Sequence, residues 1–403
     1  MKRRDFIQLA GAGAALGALR SDANTQPGSA TVHEWGTFTT VHGSDGKLLS
    51  GLQEEEEHLP WFVYSHAGMK KSHDLPGAGF SPAQLKRMGS STVRKGFNRP
   101  LANVTVKMET PVLYFYADEP QRAKVKVGFE GGSISQWFPQ RSGGETVVPP
   151  TKANNHGQID FGQSYTGGIE WEVNVLAPDS KAAFTAAPEW GYAMWPAARV
   201  AEANKLQVGE EIEHFLFYRG VGNFQIPFEV SAPDDSRIRL RNTGAEAISH
   251  AFVFDRRHHG IPKLWWQGEL PAGKTVEAVE SPHATGLHAI RTTFIEKLVE
   301  AGLNVQEAHA MVNTWQTSYF DKPGLRVFWI APRAYTDRIL PIEIDPVPKQ
   351  LERVIVGRSE VLTPGFEQTL VNEYQRDQLK SFYGDRYHLA YTERAQQLIG
   401  GGV

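Results

Sequence analysis

Apolar and polar positions alternate in short runs from about residue 32 to 282, broken by Gly, Pro and Asn, and after 286 the repeat lengthens to three and four. The first pattern predicts strands and the second predicts helices. The first ordered run is His33-Glu34-Trp35-Gly36-Thr37-Phe38-Thr39. Alternation places His33, Trp35, Thr37 and Thr39 on one side of that strand and Glu34, Gly36 and Phe38 on the other. Gly36 inside a strand marks a bulge or a close backbone approach. Gly43-Ser44-Asp45-Gly46 ends the strand in a turn. Residues 47–103 then read as a long irregular excursion, and connections of that length usually carry function.

Strand patterning resumes at Val104. Val112 to Tyr116 is an apolar run of strand length bounded by Pro111. Lys124 to Phe129 and Ile169 to Val175 alternate cleanly, as half-buried antiparallel strands with one wet face do. Residues 178–209 are Ala-rich around Trp190, Tyr192 and Trp195, and read as a helix or an aromatic-lined loop. From 206 to 282, short strands recur between turns: Glu213–Tyr218, Phe224–Val230, Arg237–Arg241, Ala251–Phe254, Leu264–Trp266 and Thr275–Val279. Pro227 suits an edge, and the spacing is that of an immunoglobulin-like sandwich.

Beyond 286, Leu287, Ile290, Phe294 and Leu298 form an apolar helical stripe that Gly302 ends. Asn304-x-x-Glu307 is a capping box for a second helix with its stripe at Ala308, Met311, Trp315 and Tyr319. The pair reads as a helical hairpin on a sheet. Leu325–Ile330, Ile339–Ile344 and Arg353–Leu362 read as strands. Thr363-Pro364 caps a last helix to about Tyr383, and the final ten residues are expected to fray. The expected fold is mainly β, α+β overall: two β-sandwich-like units with a C-terminal helical hairpin and extra strands. The expected divisions are 32–205, 206–282 and 283–403.

Composition narrows the classes. Apolar residues make up 40% of the 403 and charged residues 22%, which suits a packed globular protein. A net charge of -3 argues against a nucleic-acid binder. Lys2-Arg3-Arg4-Asp5-Phe6-Ile7, the mild apolar run Leu9–Leu19 and the small-x-small site Ser21-Asp22-Ala23 resemble a twin-arginine export signal over 1–23, with 24–31 as linker. An ordinary Sec signal is the alternative. The expected address is the periplasm or the medium, reached through the twin-arginine machinery, with no membrane anchor after cleavage. The chain has no cysteine, so thiolate-held iron–sulfur clusters, covalent haem and lipid attachment at the cleavage site are ruled out. A cofactor would take His, carboxylate, Tyr, Met or backbone oxygen, and a divalent metal is the one these residues suit.

Several strings together resemble a family of exported bacterial proteins of no known activity. They are the His33–Thr39 run, Glu109-Thr110-Pro111-Val112, Phe215-Leu216-Phe217-Tyr218-Arg219-Gly220, Met311-Val312-Asn313-Thr314-Trp315 and Arg353-Val354-Ile355-Val356-Gly357-Arg358. The resemblance spans most of the mature chain and implies one architecture throughout. It brings no catalytic residue.

Candidate chemistry therefore comes from residue types. Glu34 and Glu109, with Arg219 and Arg333, are the candidate catalytic group. Glu109 precedes a very apolar strand, where desolvation raises a carboxylate's pKa and suits it to acid–base work. The competing reading pairs Glu109 with Arg219 or Arg333. His33 is the candidate metal ligand; His42 lies nine residues on, on the other face and roughly 30 Å away along an extended strand. His58, His66 and His73 fall in the excursion. Arg256-Arg257-His258-His259 suits an anion-binding loop or a solvated turn. Trp35, Trp265 and Trp266 are candidate sugar platforms, with core filling the alternative. No nucleophile elbow or phosphate-binding glycine loop is present. The expected function is an envelope hydrolase or lyase on glycan or another polymer. The alternatives are a non-catalytic carbohydrate- or partner-binding sandwich, or a structural component of the envelope. An enzyme predicts that His33, Glu34, Glu109 and an Arg converge in one cleft.

Overall fold

The computed structural model describes residues 30–55, 59–66, 96–97, 100–145, 158–186, 194–200, 202–257, 260–379 and 387–401. The stretch expected to be an export signal, the expected linker up to residue 29, His58, His73, Trp190, Tyr192, His258 and His259 lie outside them.

One sheet organises the molecule. It takes β1 (Thr31–His42), β2 (Tyr64–Ser65), β4 (Val106–Tyr116), β6 (Gly132–Phe138), β12 (Leu216–Gly222), β15 (Ile248–Asp255), β16 (Lys263–Leu270), β18 (Leu325–Ile330) and β20 (Gln350–Val361). Their order is β16-β15-β18-β20-β1-β4-β12-β6-β2. The opening strand β1 thus sits in the middle, parallel to β20 and antiparallel to β4. Flanked on both sides and covered on both faces, it is buried almost throughout. The register between β1 and β4 shifts between Trp35 and Thr37, with Thr110 at φ 49° on the facing strand. A Cβ on Gly36 would stand 2.9 Å from the Pro111 Cα, so the glycine lets the two backbones close at the bulge.

A second sheet orders β11 (Glu211–Glu213), β10 (Leu206–Val208), β9 (Thr166–Val175), β5 (Gln121–Glu130) and β19 (Ile342–Asp345), with β7 (Gly143–Gly144) beside β9. A third joins β13 (Phe228–Asp234), β14 (Arg237–Asn242) and β17 (Thr275–Val279), and β3 (Leu101–Ala102) pairs with β8 (Ile159–Asp160). The second and third sheets face different stretches of the same side of the central sheet. Val32, Phe38, Leu113 and Leu216 meet Val125, Trp171, Val230 and Leu240 in one continuous core. The fold is thus mainly β with two sandwich-like units, and both units share the central sheet. Strands between 206 and 282 enter all three of these sheets.

The other face of the central sheet lies under helices. The short α1 (Met194–Ala197) and the hairpin α2 (Leu287–Glu300) and α3 (Val305–Thr314) bury Trp195, Ile290, Phe294, Leu298, Met311 and Trp315 on Trp35, Tyr114, Phe217, Phe252 and Phe328. Asn304 and Glu307 form the expected capping box, and α3 runs on into a π turn at Gln316–Phe320. Three C-terminal details differ from expectation. Residues 339–344 are not one strand: α4 (Arg333–Ile339) ends there and β19 starts at Ile342, the helix held by an Arg333–Asp337 pair at 2.8 Å. The helix after Thr363 is α5 (Pro364–Gln375), stopped by Asp377 at φ 55° rather than running to Tyr383. The chain's end forms α6 (His388–Gly400), anchored by Ala390, Ala395 and an Arg394–Glu367 bond of 2.7 Å. Its apolar stripe is mostly alanine, so it is faint in the sequence.

Candidate functional site

The central sheet holds the charges that the sequence nominates, and β-alternation sorts them onto opposite faces. Glu34 points into the sandwich core and is fully buried. Arg353, its cross-strand neighbour on β20, donates from Nε to Oε2 at 2.6 Å, and the Tyr218 hydroxyl donates to Oε1. Burial works against the Arg353 charge, but the adjacent Glu34 carboxylate more than offsets it and holds the guanidinium above its ordinary range. Burial, and then Glu34, push the Tyr218 phenol well up. Arg353 Nη1 reaches Asp337 at 2.7 Å, and Arg333 holds Asp337 from the half-open side. Glu34 and Arg333 are therefore linked, through Arg353 and Asp337.

Glu109 faces the other way. Tyr218 and Arg219 alternate on β12, so the tyrosine joins Glu34 while the guanidinium meets Glu109 on the helix side, at 3.3 Å. The same guanidinium pairs with Glu55 at 3.2 Å and donates from Nε to Gln136 at 2.5 Å. Glu109 thus takes the arginine pairing that competes with acid–base work. The expected convergence of His33, Glu34 and Glu109 does not occur: a closed sheet separates the two carboxylates.

His33 Nδ1 donates to the buried Glu307 carboxylate at 2.8 Å. Glu307 also receives the Tyr116 hydroxyl at 2.6 Å and caps α3, so His33 clips the hairpin to the sheet. Among the described residues no group of three His, Asp or Glu could hold a metal. Trp35 is buried beside Tyr114. Trp265 is buried under the Arg257 guanidinium, and its half-buried neighbour Trp266 packs against the same core, where the register between β15 and β16 shifts. These three make no common platform. Arg256 and Arg257 are engaged with the Asp321 carbonyl and with Asp255 and Glu280.

An open concave feature lies elsewhere, on the outer face of the second sheet. It is a cleft of about 1270 Å³, and none of the nominated residues lines it. Its floor is the wet face of β5 and β9, where Arg122 stands opposite Asn174 and Lys124 opposite Glu172. Asp345 of β19 flanks Lys124 on the other side. One rim carries Trp61, Phe62 and Tyr64. Phe62 is locked edge-on against Phe138 and Trp195, and Trp61 stands edge-on to Phe62 at 5.7 Å, half-buried. The Tyr64 hydroxyl donates to Glu211 at 2.7 Å; burial, and then this bond, hold the phenol above its ordinary range.

The walls are fixed by groups behind them. Glu211 also accepts the Gln140 backbone N–H at 2.6 Å, tying the β10–β11 turn to the 140–142 loop. The buried Glu213 accepts from Arg199 at 2.9 and 2.8 Å and from Trp195 Nε1 at 2.9 Å. Arg199 Nη2 then donates to the Ala186 carbonyl at 2.8 Å, fixing the Thr185–Ala186 wall. Rigid aromatic rims, hydroxyl-accepting carboxylates and amide donors suit a ligand rich in hydroxyl groups. The sequence does show the wet face of Lys124–Phe129 and Ile169–Val175. The rim was missed because Trp61 and Tyr64 sit in an irregular stretch with no period to interpret.

No family model matches the chain, and no curated protein matches it. Among solved structures the chain is similar to a Danio rerio Fcho1 Mu homology domain with bound Eps15 peptide, at 8% identity and TM-score 0.28, over 84% of this chain and 95% of that chain. A likeness that loose has no bearing on the site.

Proposed function

We propose that the protein is an exported envelope protein that binds a glycan in the cleft over β5 and β9, without acting on it through Glu34 or Glu109. The observation that carries this reading is the cleft itself, with Trp61 and Tyr64 on its rim and paired polar side chains on its floor. Aromatic rings pack on sugar faces while carboxylates, amides and guanidinium groups bond the hydroxyls. The twin-arginine-like N-terminus supports a site of action outside the cytoplasm, and no described helix is long and apolar enough to cross a membrane. The hydrolase or lyase reading has less support, because its two carboxylates are each held by a buried arginine on opposite sides of one sheet. An assembly role has less too: the large exposed apolar residues, such as Ile261, Val305 and Val347, belong to separate elements. Affinity electrophoresis through gels containing envelope polysaccharides tests the proposal. Wild type is expected to be retarded by at least one polysaccharide, and Trp61→Ala to run free. Unretarded wild type across the panel would remove the proposal.

A further inference from the structure

Charge partners distinguish the cations of the cleft. Lys124 lies between Asp345 and Glu172 on the neighbouring strands and approaches Glu170 at 3.6 Å. Arg141 lies 4.1 Å over the Trp137 ring and donates to the Glu145 carbonyl. Arg122 is different. It is exposed on the cleft floor and makes no ion pair or hydrogen bond among the described residues. Its cross-strand neighbour is Asn174, and the next residue along that row is Gln207 of β10. Both are neutral amides, whereas the next row along β5 is acidic on both sides of its lysine. The floor therefore presents one guanidinium with uncommitted donors beside amide donors, and carboxylates one step away.

We propose that Arg122 reads a carboxylate on the bound polymer, so that the cleft's ligand is an acidic, uronate-bearing glycan. This rests on the glycan reading of the same cleft. A planar guanidinium matches a carboxylate with two parallel hydrogen bonds, and the cross-strand Asn174 offers an amide as a third donor. Glu172 and Asp345, like most carboxylates near sugars, then accept ring hydroxyls. Lys124 is less suited to the reading role, because it already pairs with Glu170 and has a carboxylate residue opposite it on each neighbouring strand. Arg141 is committed to the wall by its place over the Trp137 ring and its bond to the Glu145 carbonyl.

The test uses the mature chain and a matched ligand pair: a galacturonate oligomer, and the same oligomer with its carboxylates methyl-esterified. Calorimetric titration is expected to show about tenfold tighter binding of the acid form, as a charge-assisted contact should give. Arg122→Gln is expected to remove the advantage of the acid form, so that acid and ester bind with similar affinity. Arg122→Lys, which keeps the charge and loses the planar fork, should recover only part of the preference. Equal affinity of wild type for both forms, or a preference that survives Arg122→Gln, overturns the role of Arg122 and leaves the cleft reading standing. Failure of both oligomers to bind overturns the role of Arg122, and together with unretarded electrophoresis across the polysaccharide panel it removes the cleft reading as well. Unchanged thermal unfolding of Arg122→Gln confirms that the readout is recognition.

Discussion

The central sheet and the second sheet both carry rows of charged residues, and they use them in opposite ways. On the central sheet, Glu34, Arg353, Arg219 and Glu109 are buried and each finds its partner in the fold. On the outer face of the second sheet, Arg122, Lys124, Glu172 and Asn174 alternate with core residues and face the open cleft. A buried charge held against an opposite charge is part of the architecture. A charge left facing a concave, wet surface is available to a ligand. The chemistry most noticeable in the sequence, the His33-Glu34 pair and Glu109, belongs to the first class.

That contrast can be broken most forcefully at Arg353. Arg353→Met leaves Glu34 buried without its guanidinium, so urea unfolding should show a loss of about 3–5 kcal/mol. A loss under 1 kcal/mol would mean that the pair is not architectural. His42 extends the same idea to pH. Burial brings its imidazole down to about 4, with Thr40 Oγ1 3.2 Å from Nε2. The unfolded imidazole takes its proton near 6.5, so between these values the unfolded state binds more protons. Stability from this group is complete above about pH 6.5 and falls by up to about 3 kcal/mol as pH drops toward 4. His42→Gln should flatten the wild-type slope in that window; an identical slope would show that His42 titrates normally.

The second sheet should respond in affinity instead. Trp61→Ala is expected to weaken glycan binding by about 1–2 kcal/mol, read by calorimetry, with unfolding changed far less. Lys124→Ala gives the smallest effect. Its contact with Glu170 is mostly exposed, so unfolding should move by less than about 0.5 kcal/mol. A larger loss would make this face architectural as well, and the comparison would fail.

Much of the fold was legible because periodicity reports burial. The alternation of β1, the stripes of α2 and α3, the capping box and the bulge at Gly36 all stand in the sequence as they do in the structure. Pairing order was not legible. Local pattern says that β12 and β15 are strands, but long-range register places them in one sheet with β1. The same limit hid the site. Glu34 and Glu109 lie on facing neighbours, and only the register, the bulge and the alternation together put them on opposite faces. The partner of Glu109 could be narrowed to two arginines, and the structure selects Arg219. Trp61 and Tyr64 acquire meaning only where Phe62, Phe138 and Glu211 hold them at the rim of the cleft.

The most direct test of the central claim is amide hydrogen exchange on the mature protein with and without a glycan that retards it in electrophoresis. The account predicts new protection confined to 61–64, 122–124, 140–142, 172–174, 185–186 and 208–211, the rim, floor and walls of the cleft. Protection centred instead on His33, Glu109 or Trp265 would contradict it and return the site to the central sheet.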